Sequence, residues 1–257
     1  LDTASSLISN NEDRLGKKLW SENSKGDLIE VNCYNNGYDE AVAIADEIEK
    51  DLSNHNSLNQ ISILVRAAFQ TREFEDRFIK INLPYRVIGG LKFYDRAEIK
   101  DAICYIRIIH QENDDLAFER IINTPKRSIG ETTLKEIHKI AKQKNINLEQ
   151  ASLLYCEQEN PNGKTILSLK KIITDIQSWR KLSKEISHYE LTERVMDESG
   201  YTQMLMNEKT PEADSKLENL KELILSMKNY SNLQDFLENI SLQTSIDEDW
   251  NGEKINL

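Results

Sequence analysis

Apolar positions along this chain follow two rhythms, and the change between them divides it. Leu28 to Tyr34 is short, β-branched and bounded by Lys25-Gly26-Asp27 and Asn35-Asn36-Gly37, which predicts a strand. Over Tyr38 to Leu52 the apolar residues Ala41, Ile44, Ala45, Ile48 and Leu52 fall at helical spacing with acids opposite. Ile61-Ser62-Ile63-Leu64-Val65 is the apolar run of a buried parallel strand. Gln70 to Leu83 repeats the helical pattern through Phe74, Phe78 and Ile81, and Pro84 to Ile88 returns to strand before Gly89-Gly90. Strand, helix, strand, helix, strand predicts an α/β layer built from parallel crossovers.

Beyond Gly90 the alternation stops. Asp95-Arg96-Ala97-Glu98 has the form of a capping box, with Asp95 as N-cap and Glu98 at N3, opening a helix that carries Ile99, Ala102, Ile103, Ile106 and Ile109 on one face. Gln111 to Asp115 breaks that helix. Helices follow over 116–123, 131–143, 164–185, 191–199, 212–230 and 233–242, then a polar stretch from Ser245 to Gly252. Lys254 to Leu257 reads as the first residues of another strand. The expected organisation is an α/β portion at 1–111 and 249–257, interrupted by an all-helical portion at 112–248.

Composition narrows the function classes. A chain of 257 residues with 9 Gly and 4 Pro is poor in turn formers, against a sandwich or barrel. Its formal charge of −11 supplies no global field toward nucleic acid or an anionic membrane. No apolar run reaches the ~20 residues that span a bilayer, so no membrane partner is expected. Cys33, Cys104 and Cys156 form no metal-binding pair and point to a reducing, cytoplasmic setting. The absent initiator Met suggests a piece of something longer.

Catalytic signatures are missing. Asn162-Gly163-Lys164-Thr165 resembles the end of a phosphate-binding loop, but Gln158 stands where that loop needs its first Gly. His55, His110, His138 and His188 are isolated, with no ligand at metal spacing. Ser187-His188 is not triad geometry, and Asp247-Glu248-Asp249 reads as a solvated acidic loop. No catalytic residue, cofactor site or metal site is expected in the chain itself.

Three stretches can touch nucleic acid. Asn123 to Leu134 reads as a helix ending at Pro125, a tight turn Ser128-Ile129-Gly130, and a second helix starting at once: a helix-hairpin-helix. Such a turn presents backbone N–H groups and the positive end of the second helix to a phosphate, with no base code. Arg120 to Lys144 holds seven Lys and Arg against two Glu, a local basic patch that screening isolates from distant acids. The alternative is an ordinary helix corner with a solvated basic face. Gly89 to Arg96 follows a strand end, where open α/β sheets bind ligands. There Phe93 or Tyr94 can stack on a base while Lys92 and Arg96 reach phosphates, or the aromatics are core. Arg66, Gln70 and Arg72 also lie just past a strand end, as track residues or as surface polarity.

Taken in order, these strings resemble the superfamily 1 DNA helicases of the UvrD, PcrA and Rep type. The resemblance is carried by Arg14-Leu15-Gly16-Lys17-Lys18-Leu19-Trp20, by Pro84 through Asp101 (the family's motif IVa), by Asn123 through Gly130, and by Leu217-Glu218-Asn219-Leu220-Lys221-Glu222-Leu223. It implies a partial RecA-like motor domain, 2A, interrupted by a helical 2B domain, in a parent that is an ATP-dependent 3′→5′ DNA helicase of repair or replication restart. ATP and Mg²⁺ are then cofactors of the parent, held by motor domain 1A upstream of Leu1, and the chain alone turns over no ATP. The implied partners are a single-strand/duplex DNA junction, the 1A and 1B domains of the same protein, and repair proteins. The implied DNA-binding residues are Lys126, Arg127, Ser128, Ile129, Gly130 and Thr133 on the duplex, with Arg96, Lys92, Arg66 and Arg72 along the single strand. Two departures stand out. Ser128 replaces the first Gly of the family's G-I-G turn, where a side chain limits close approach or demands φ < 0. The string from Arg66 to Arg72 lacks the Asn that the family carries near its start. The competing class is a helical protein-interaction or autoregulatory module with little DNA affinity of its own.

Overall fold

A computed structural model describes residues 2–11, 20, 28–53, 57–158, 163–210, 212–245 and 252–257. Most of the string from Arg14, Pro161 and Asn162, His55 and the acidic run Asp247 to Asp249 lie outside the described residues. The chain divides into two units, Leu1–Asn35 and Asn36–Leu257.

Among the described residues of the first unit, helix α1 (Asp2–Ile8) buries none of its side chains. The strand expected at 28–34 is absent: Leu28 is 93% exposed and the segment joins no ladder. β-branched composition favours a pleated surface only where a neighbour supplies hydrogen bonds and packing.

The second unit contains two hydrophobic cores. In the smaller, helix α2 (Gly37–Ser53) buries Ala41, Ala45 and Ile48 on one stripe against Phe74 and Phe78 of α3 (Thr71–Lys80). Asn36 starts α2 by accepting the Asp39 N–H at 2.8 Å. α3 stops where Asn82 turns to φ 55° and Leu83 N–H returns to the Phe78 carbonyl at 2.8 Å. Beneath these helices run three extended, parallel segments. Strand β1 (Tyr85–Arg86) pairs with β2 (Ile255–Asn256) in the register Tyr85 to Ile255, and Ile88 N–H prolongs the ladder to the Leu257 carbonyl. On the other side of β2, Asn256 donates to the Ile61 carbonyl and accepts from Ile63 N–H. The strand expected at 61–65 is thus reduced to one parallel bridge at Ser62. Its side chains alternate, with Ile61, Ile63 and Val65 packed on the core and Leu64 94% exposed, so it is covered on one face and not on both.

The larger core is entirely helical. It gathers α4 (Ala97–His110), α5 (Asp115–Ile121), α6 (Glu131–Lys144), α7 (Leu148–Gln158), α8 (Lys164–Leu182), α9 (His188–Glu198), α10 (Tyr201–Met206), α11 (Ala213–Met227) and α12 (Leu233–Ser245). Tyr105, Trp179 and Tyr201 meet edge-on at its centre, ring centroids about 6 Å apart. A buried ion pair between Arg180 and Glu149, at 2.6 Å, also satisfies the Ile108 carbonyl.

The two cores share out the residues around Gly89-Gly90. The buried face of α4 (Ile99, Ala102, Ile103, Ile106) belongs with the helical core, as do Phe93 and Tyr94. Along the chain, the change from one core to the other falls between Val87 and Phe93, beside Gly89-Gly90. The capping box moves. Arg96, not Asp95, is the N-cap of α4 and makes no side-chain cap bond, Asp95 closes a preceding turn and pairs with Lys100 at 2.8 Å, and Glu98 points into the core toward Asn219. The reciprocal box forms instead between Ser187 and Glu190, at the start of α9.

Candidate nucleic-acid interface

The turn between α5 and α6 is built by side chains that aim inward. Asn123 Oδ1 accepts the Arg127 N–H at 2.7 Å and the Ile129 N–H at 3.4 Å, folding the loop onto itself. Ile129 is 1% exposed and plugs the helical core, pinning the tip. Ser128 and Gly130, on either side of it, face solvent. Ser128 adopts φ 62°, opposite in sign to the expectation for a non-glycine residue. That left-handed geometry is the one a glycine takes freely. Gly130 is the N-cap of α6 and has no side chain to accept an N–H, so the first turn of a 14-residue helix begins without a side-chain cap. Lys126, Glu131 and Thr132 are exposed beside it and Thr133 is half-buried.

Arg127 does not join that surface. Its guanidinium donates to the carbonyls of Ile121 (2.9 Å), Ile122, Pro125 and Ser199 (3.0 Å), and to the Tyr105 hydroxyl (2.7 Å). Tyr105 in turn donates to the Thr124 carbonyl. Arg120 is also engaged, held by Asp101 at 2.6 Å. The basic excess counted along the sequence therefore contracts toward Lys126 and the exposed lysines of α6. The stretch resembling a phosphate-binding loop has a different role. Gly163 caps α8, and Thr165 Oγ1 donates to the Ser128 carbonyl at 3.0 Å, bracing the turn.

The other two stretches converge past the ends of the parallel segments. Arg66 is exposed, and its N–H and that of Ala67 both donate to Gln70 Oε1 at 2.9 Å, so Gln70 shapes the turn that presents Arg66. Lys92 lies with its ammonium 4.6 Å from the centre of the Tyr85 ring. Burial lowers its pKa from the ordinary lysine value, with Glu75 opposing. Arg72 and Arg96 are interior. Arg72, 2% exposed, is clasped by Glu73, by Asp76 and by Glu222 of α11, the last two at 2.6 Å. Burial opposes its charge, and Asp76, Glu73 and Glu222 more than offset this, raising its pKa above the ordinary arginine value. Arg96, 8% exposed, donates to the Leu91 and Ala68 carbonyls, to Thr71 Oγ1 and to Asn219 Oδ1. Phe93 and Tyr94 are core, which removes them as stacking platforms in this arrangement.

The family described as the UvrD-like helicase C-terminal domain matches residues 1–257. The chain belongs to that family. Relatives agree: it is 40% identical over 244 residues to a probable DNA helicase II homolog of Rickettsia conorii, covering 94% of this chain and 37% of that protein. It is 35% identical over 264 residues to the ATP-dependent DNA helicase PcrA of Staphylococcus aureus, covering 96% of this chain and 35% of the relative. The DNA helicase II of Escherichia coli is 34% identical over 231 residues, 90% of this chain and 32% of the relative. The chain thus spans about a third of the length of these relatives.

Within this UvrD-like segment, sequence reading missed the supports of the candidate surface. Asn123, Tyr105, Thr165 and Ser199 hold the turn, and Glu75, Asn219 and Glu222 hold the two arginines and their loops. Asn123 carried a signal, since Asn before Thr-Pro is a turn former. The partners 100 or more residues away carried none. Among the described residues no three His, Cys, Asp or Glu side chains gather as a metal site, and no helix is long and apolar enough to cross a membrane.

Proposed function

We propose that this chain is the 2A/2B segment of an ATP-dependent 3′→5′ DNA helicase acting in repair or replication restart in the cytoplasm. In this reading the parallel segments with α2 and α3 are part of RecA-like domain 2A. The helical core is 2B, and its α5–α6 turn is the helix-hairpin-helix. Residues 128–133 grip a duplex phosphate by backbone N–H groups at the uncapped start of α6, with Lys126 adding charge. Arg66 and Lys92 meet single-stranded DNA past the ends of the strands. ATP and Mg²⁺ belong to motor domain 1A of the same protein, which together with 1B completes the machine, and repair proteins are its further partners. Hydrolysis is assigned in this reading to that other domain.

The observation that carries the reading is the exposed, uncapped start of α6 behind a pinned turn, in a chain of this family. Backbone donors aimed at solvent grip a phosphate without reading sequence, as a helicase requires. Fluorescence anisotropy with a forked DNA tests it. Salt-sensitive binding indifferent to sequence is expected, with a salt slope reduced when Lys126 is replaced by Ala. Absence of DNA affinity at low salt, with capture of a repair protein instead, would replace it with the protein-interaction reading.

A further inference from the structure

Two arginines that the sequence places on the DNA track point away from solvent, and what they hold is informative. Arg96 spreads its fork over three segments at once. Nε donates to the Leu91 carbonyl (3.3 Å), Nη2 to the Ala68 carbonyl (3.0 Å) and Thr71 Oγ1 (3.4 Å), and Nη1 to Asn219 Oδ1 (2.9 Å). The first carbonyl is in the loop that bears Lys92. The second is in the turn that bears Arg66. The third partner sits on α11 in the helical core, where Asn219 is itself oriented by donating to the buried Glu98 at 2.6 Å. The Phe93 ring, 5.5 Å from the guanidinium carbon, closes one face of the fork. One turn further along α11, Glu222 takes Arg72 of α3, so the same helix face braces both neighbouring segments.

We infer that Arg96 is a positioning residue, anchored on Asn219, that fixes the spacing between Arg66 and Lys92 without touching DNA. This rests on the assignment of those two residues to the single-strand track. A guanidinium is required because its donors diverge in a plane and reach four acceptors on three segments, whereas an ammonium carries the same charge on one point. The bracket also ties the track to the helical module through a neutral side chain, Asn219, which lies on neither DNA-bearing segment.

The two roles differ in what a lysine does. If Arg96 met a phosphate, Arg96→Lys would keep most of the affinity and Asn219→Ala would change nothing. For a bracket, both variants weaken binding of labelled oligo-dT to the full chain by about fivefold, the effect of one lost hydrogen bond. Both also lower the salt slope by about 0.7 for each phosphate contact that drifts out of reach. Adding Lys92→Ala to Asn219→Ala then costs less than the product of the single effects, because a displaced lysine has less to lose. Thermal unfolding identifies any variant that fails to fold. Amide exchange on Asn219→Ala supplies an independent readout, with faster exchange expected at 66–71 and 89–93 and none in α2. Wild-type chain without oligo-dT affinity would overturn the track assignment and the bracket with it. Wild-type binding with Arg96→Lys and Asn219→Ala unaltered would overturn the bracket alone.

Discussion

Lys126 and Arg127 are neighbours of like charge, yet the structure gives them opposite roles, and separating them is the sharpest available test of the α5–α6 turn. Arg127→Ala removes three short hydrogen bonds, to the Ile121 carbonyl, the Tyr105 hydroxyl and the Ser199 carbonyl. At about 1 kcal/mol each, with acceptors left poorly solvated, the loss is roughly 3 kcal/mol. For a chain of this size that lowers the unfolding midpoint by roughly 6–12 °C. Lys126→Ala removes an exposed side chain, and its effect on stability should stay within about 0.5 kcal/mol. Its effect on duplex binding is different: one lost phosphate contact lowers the slope of log K against log salt by about 0.9. Calorimetric or fluorescence-detected melting and anisotropy over a salt series, on both variants, separate the two. Arg127→Ala melting with the wild type while losing salt-dependent affinity would refute the assignment of Arg127 to the scaffold.

Three further outcomes are expected. Ser128→Gly relieves a left-handed φ that costs an L-residue roughly 1–2 kcal/mol, less the entropy of glycine, and should raise the urea midpoint without changing its slope. Arg72→Met strands three carboxylates around a buried site and should destabilise by roughly 3–5 kcal/mol, while Glu222→Gln, which leaves Glu73 and Asp76 in place, costs less; equal losses in denaturant titrations would contradict the clasp. Burial raises the Glu75 carboxyl above its ordinary 4.5, against hydrogen bonds from Thr71, Phe93 N–H and Tyr85. The folded chain therefore keeps a proton that the unfolded chain has lost, and this residue's contribution to stability falls as pH rises from 4.5 toward the raised value. Glu75→Gln should flatten that part of a stability-against-pH curve.

Most of the helical architecture was legible because an amphipathic stripe is a local signal. α2, α6, α8 and α11 begin and end within a few residues of the pattern that predicts them. Strands fared worse where their outcome depends on a distant partner. Tyr85 pairs because Ile255 returns to it, whereas Leu28 to Tyr34, no less β-branched, pairs with no strand among the described residues. The capping box illustrates a second limit. Asp95 to Glu98 satisfies the local pattern, but Asn219 competes for Glu98 from 121 residues away and wins. The candidate site divides in the same way. The tip Ser128-Ile129-Gly130 was visible as turn chemistry, while the inward course of Arg127, Arg72 and Arg96 depends on acceptors that no short window contains.

The middle position of β2 constrains how the chain can acquire its shape. Asn256 bonds to a residue 170 positions earlier, so the sheet cannot close until the whole helical excursion has been made. Closing a disordered loop of that length costs roughly 4–5 kcal/mol in chain entropy. Helices rich in near-neighbour contacts form early, and once folded they shorten that search to a rigid span. The inserted helices thus act as the splint on which the smaller lobe sets.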